Sequence, residues 1–97
     1  GDPKKAHEIL LDLFNNKIPT PYQIRLIANA ANNAGDKAEA FSYMAEFYLS
    51  IGNFQEAIEQ LKIALTMKPI TDIQTAKFIA RLNEVEEYLD EMNKNRR

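Results

Sequence analysis

His7 is the single histidine of this 97-residue chain, and Glu8 follows it. Together they could open a His-Glu-x-x-His zinc motif, in which two imidazoles one helical turn apart hold the metal and the glutamate takes a proton from bound water. The second imidazole would have to stand at position 11, which is Leu11. No zinc pair forms there, and a lone histidine on a short amphipathic helix reads as a surface or boundary residue. Serine is represented by Ser42 and Ser50 alone, with no second histidine and no cysteine to build a nucleophilic triad. A Gly-rich phosphate loop is also missing. Glu84, Glu86, Glu87, Asp90 and Glu91 crowd the end of the chain, but a charge run of this kind is ordinarily a solvated helix face. Lys94, Arg96 and Arg97 follow where positive charge complements a helix C-terminus. Binding, not catalysis, is the chemistry these residues offer, and the chain itself is expected to hold no metal or cofactor.

The elements that would present such a surface are legible from a recurrence. Shifted by 17 residues, Leu10, Ile27, Met44, Leu61 and Phe78 fall on one register, and Phe14, Ala31, Tyr48, Leu65 and Leu82 on another; all ten are apolar. Breakers keep the same beat, with Gly35, Gly52 and Pro69 spaced 17 apart and Pro19 ahead of them. Thr20 with Gln23, Asp36 with Glu39, Asn53 with Glu56 and Thr71 with Gln74 have the capping-box arrangement, in which a polar cap and a third-position acid or amide satisfy each other's backbone N–H groups. Asp2-Pro3 and Thr20-Pro21 add proline at the first helical position. These signals predict five helices, at about 3–16, 20–34, 36–51, 53–67 and 71–93, and no strand.

Linkers this short force consecutive helices to lie antiparallel. Ala28, Ala31, Ala45, Ala57 and Ala64 stand where a larger side chain would hold two backbones apart, and Phe14, Phe41, Tyr48 and Phe54 fill the volume between. Ala45 and Ala57 are expected to face each other across the tightest contact.

Composition narrows the partners. Twelve basic against fourteen acidic residues give a net charge of −2, and no Lys/Arg cluster precedes the last few positions, so a nucleic-acid partner is not expected. The chain lacks cysteine, which excludes a disulfide framework without deciding the compartment. No apolar run reaches membrane-spanning length. The abrupt Gly1-Asp2-Pro3 start reads as that of a domain cut from a longer protein.

Two 17-residue periods make the 34-residue tetratricopeptide unit. Residues 38 to 69 resemble one such repeat, with Phe41, Met44, Ala45 and Tyr48 on its first helix, Gly52-Asn53-Phe54 at its turn, and Ala57, Leu61, Ala64 and Pro69 after it. Phe41 replaces the commoner tryptophan. The preceding unit fits less well, sharing Ala28, Gly35 and Ala40 but placing Lys37 where an aromatic is usual, and residues 3 to 18 resemble the second helix of a repeat whose first helix would lie upstream. The run Gly35-Asp36-Lys37, Ala45-Glu46-Phe47-Tyr48, Ala57-Ile58-Glu59-Gln60-Leu61 and Ala80-Arg81-Leu82 is similar to the C-terminal region of BepA-like periplasmic zinc metalloproteases.

The resemblance implies an all-α, right-handed tetratricopeptide solenoid of five antiparallel helices, forming one domain over residues 1–97. As a protein-interaction module, it would dock protein or peptide segments, outer-membrane assembly machinery among them, with the zinc peptidase upstream. A generic scaffold in another complex, cytoplasmic or periplasmic, and a domain that gates its own peptidase are the alternatives. In such arrays the first helix of each pair lines the concave face, which places Glu39, Ser42, Tyr43, Glu46 and Leu49 in the partner groove and adds Glu8 and Asp12 if the first helix is in phase. Four carboxylates beside a tyrosine and a leucine would favour Lys/Arg next to hydrophobic anchors. The last helix is longer than the array needs, so its second half should overhang. Val85, Leu89 and Met92 there are either part of a solvated extension or a seam for a second copy or the parent peptidase.

Overall fold

The computed structural model describes residues 3–4 and 19–95. Pro3 and Lys4 are helical; the remainder of the helix expected at 3–16 lies outside the described residues, as do His7, Glu8 and Asp12. The other four expected helices are present as α1 (Pro21–Asn33), α2 (Lys37–Ser50), α3 (Phe54–Thr66) and α4 (Asp72–Asn95). Among the described residues there is no strand, and none of the helices is long and apolar enough to cross a membrane.

Each boundary has a local cause. At Gly35 and Gly52 the backbone turns left-handed, with φ of 87° and 80°. The Gly35 N–H donates to the Asn32 carbonyl and the Asp36 N–H to that of Ala31; Gly52 and Asn53 repeat the pattern onto Leu49 and Tyr48. These are Schellman closures, and Asp36 or Asn53, their last residue, is at once the N-cap of the next helix. Glycine is required for its backbone freedom and not for space, because a Cβ at either position would meet nothing within 4 Å. The Thr20–Gln23 and Thr71–Gln74 boxes are complete in both directions. At Asp36 and Asn53 the cap accepts from the third N–H, as expected, but the return bond is absent. Glu39 is drawn to Lys77 and Gln74, and Glu56 accepts from Gln60 instead.

The helices pack in chain order, α1 on α2, α2 on α3 and α3 on α4. The alanines expected at the contacts are all deeply buried: Ala31, Ala45, Ala57 and Ala64 are wholly inaccessible, and Ala28 is 3% exposed. Among the described residues, Leu61 and Phe78 are the largest side chains fully enclosed, and Phe41, Tyr48, Phe54 and Leu65 close around them. No described residue of the two 17-residue registers is exposed.

The last helix departs from expectation. Its second half does not leave the array at residue 84: Val85 is 3% exposed within the same core as Phe78, Leu89 packs against that core, and the Tyr88 ring lies 5.2 Å from that of Phe54. Met92 is half-buried. Val85 and Leu89 therefore serve the fold as the cover of α3's N-terminal half. The charge run outward from them is solvated, as expected.

Because Ala45 and Ala57 have no free space around them, Ala45→Leu or Ala57→Leu is expected to overpack the α2–α3 contact and cost roughly 1–3 kcal/mol. Thermal melts that overlay the parent curve would remove this register.

Candidate functional site

Because α3 intervenes between them in sequence, α2 and α4 meet across a cleft of about 330 Å³. Leu61 and Phe78 form its floor. Glu39, Ser42, Tyr43 and Glu46 make one wall, and Lys77, Ala80, Arg81 and Glu84 the other. Four of the seven residues expected in a partner groove are thus brought together on one wall. Leu49 lines an adjoining cleft of about 290 Å³ with Phe54, Val85 and Tyr88; Arg81 and Glu84 border both, so the two form one trough. Glu8 and Asp12 lie outside the described residues.

The contribution of α4 was missed from sequence, and it changes the electrostatics. Lys77 Nζ lies 2.9 Å from Glu39 Oε1. Gln74 Nε2 donates to both carboxylate oxygens of Asp36 and to Glu39 Oε2, while Gln74 Oε1 accepts from the Thr71 N–H. Further along, Arg81 Nε and Nη2 bind Glu46, and Nη1 reaches Glu84 Oε2 at 3.3 Å. These partners advance together, from Asp36 and Gln74 through Glu39 and Lys77 to Glu46 and Arg81, so α2 and α4 run in the same direction. The expected groove of unopposed carboxylates is instead a rim of closed ion pairs. A signal for it did exist: Gln74, Lys77 and Arg81 stand at i, i+3 and i+7, one donor face of a helix.

Burial separates the two pairs. The Glu39 side chain is 12% exposed, against 36% for Glu46, and a carboxylate held by Gln74 and Lys77 in a half-closed site is worth more than one at the surface. Burial of Arg81 works against its charge, but its bonds to Glu46 and the charges of Glu46 and Glu84 outweigh that and hold it above its ordinary pKa. Tyr43 is pushed up to about 12, first by burial and then by the nearby charges of Glu39 and Asp36. The trough thus offers fixed donors and acceptors over an apolar floor, an arrangement suited to holding a ligand.

No protein-family model, no curated protein and no solved structure matches the chain.

Two outcomes follow from these surroundings. Glu39→Ala removes a half-closed carboxylate that accepts from both Gln74 and Lys77, while Gln74 keeps Asp36 and the exposed Lys77 turns to water. The loss is expected to be about 1 kcal/mol, against roughly a few tenths for Glu46→Ala at the more exposed pair; equal losses in denaturant titrations would show that the ion pairs are equivalent. For Tyr43, the folded phenol keeps its proton where the unfolded one, near 10, has lost it. Its contribution to stability is therefore complete below pH 10 and disappears as the pH rises from about 10 through about 12. Tyrosinate absorbance should show a late step near pH 12, and Tyr43→Phe should abolish it.

Proposed function

We propose that this chain is a protein-docking module, a right-handed solenoid of tetratricopeptide type whose concave surface is the trough between α2 and α4. The observation that carries this reading is the trough itself: two helices of the same direction, separated in sequence by a third, hold an apolar floor between rims of hydrogen-bonding side chains. The 17-residue recurrence supports it, because the helices that line the trough are those that would be the first of successive repeat pairs. An open channel of this kind suits an extended or helical polypeptide, whose apolar side chains reach the floor while its polar groups meet the rim. The resemblance to BepA-like metalloproteases extends the proposal to a periplasmic module that presents outer-membrane assembly components or their clients to a peptidase domain.

A photo-crosslinking amino acid placed at Ser42, at Glu84, or at Lys62 on the far side of α3 tests the reading against an arrayed library of polypeptide segments. Adducts from positions 42 and 84, with position 62 at background, are expected. Capture from position 62 alone would move the binding surface off the trough.

A further inference from the structure

We infer that the far end of the trough is a selective pocket for a partner segment in which an aromatic or branched aliphatic anchor sits between two basic residues. This inference rests on the docking reading above and names the partner chemistry.

Lys77, Arg81, Glu84 and Tyr88 line the trough from α4, and helical spacing puts Gln74 before them and Glu91 after them on the same face, the six being 3, 4, 3, 4 and 3 apart. The first three of this stripe are donors, and α2 answers them with Asp36, Glu39 and Glu46. At Glu84 the sign of the stripe reverses. Glu84 and Glu91 are exposed acceptors on either side of Tyr88, and α2 ends at Ser50, too early to supply a counterpart to Glu91. The second cleft opens at this reversal, walled by Leu49, Phe54, Val85 and Tyr88. Tyr88 stacks obliquely on Phe54 yet remains 54% exposed, so part of its ring is open to a further apolar group.

The chain's own packing supplies the matching rule: where the α4 stripe donates, carboxylates bind it, so where it accepts, the complement is cationic. An anchor flanked by Glu or Asp would set like charges against Glu84 and Glu91 and be rejected. Glu91 stands at i+7 from Glu84, a rise of about 10 Å along the helix. An extended segment covers that distance in about three residues. Side chains alternate along an extended segment, so the matching motif carries Lys or Arg about two positions to either side of the anchor, which puts all three on one face and leaves the long basic stems to take up the extra length.

The test is fluorescence anisotropy on the 97-residue chain with a labelled Ser/Ala peptide in which Phe lies between Lys and Arg, and with versions bearing Glu for both basic residues or Ala for Phe. The basic Phe peptide is expected to bind, with Tyr88→Ala and the Ala-for-Phe version each weakening it about tenfold. The double variant Glu84→Lys with Glu91→Lys should transfer preference to the Glu peptide, a reversal that loss of folding cannot mimic. Equal binding of both peptides by the parent chain, or indifference to Tyr88→Ala, overturns the pocket; crosslinking from Ser42 that persists in that case leaves the docking reading standing. Sedimentation showing a dimer that Tyr88→Ala dissolves would assign the pocket to a second copy and overturn the proposed partner.

Discussion

Close approach of neighbouring helices is the constraint on which the rest of this structure depends, and alanine enforces it. Ala31, Ala45, Ala57 and Ala64 have no accessible surface, so α1 to α3 pack at contacts from which water is excluded and where the side chains are no larger than a methyl group. Interiors tolerate neither voids nor extra methylenes at such contacts. The large side chains are displaced to the flanks, where Phe41, Tyr48, Phe54 and Leu65 surround Leu61 and Phe78. Tight Schellman-to-cap turns at Gly35-Asp36 and Gly52-Asn53 suit the same geometry, because each ends one helix and starts the next within three residues.

What happens between α2 and α4 is the converse. Their backbones approach each other far less than those of helices adjacent in the chain, and long side chains bridge the gap: Glu39 to Lys77, Glu46 to Arg81, and Gln74 to Asp36. A cleft with an apolar floor is the geometric remainder of that spacing. Gln74 has two roles here, since its carbonyl oxygen completes the cap of α4 while its amide nitrogen ties that cap to the cap of α2. Helix initiation and interhelical register are thereby set by one side chain.

The features that follow from local chemistry were legible in the sequence. The 17-residue recurrence and the small residues between its registers located the core. Breaker glycines and Asx or threonine caps located four helix starts to within a residue. What the sequence hid was pairing across 35 to 38 positions, because Lys77 and Arg81 on their own look like ordinary surface cations. Opposing stripes, acidic Asp36, Glu39 and Glu46 against donor Gln74, Lys77 and Arg81, become visible only once the two helices are known to run side by side. The overhang was misjudged for a related reason: a half-repeat measured in sequence ignores that α4 must run back past the first turn of α3, which carries Val85 and Tyr88 to Phe54.

A rim of closed ion pairs is not an obstacle to recognition. Exposed pairs are weak because water competes for both partners, and Lys77 and Arg81, at 57% and 41% side-chain exposure, can exchange a carboxylate for another acceptor at small cost. Glu39, at 12%, cannot. One pair therefore fixes the trough and the other is adjustable, and the adjustable pair, Arg81 with Glu46, lies on the border of the apolar pocket. A ligand charge arriving beside Tyr88 would meet a guanidinium already shared between Glu46 and Glu84, so drawing Glu84 toward a basic residue leaves Arg81 fully held by Glu46. The pocket can thus change partner at one carboxylate without loosening the contact between α2 and α4.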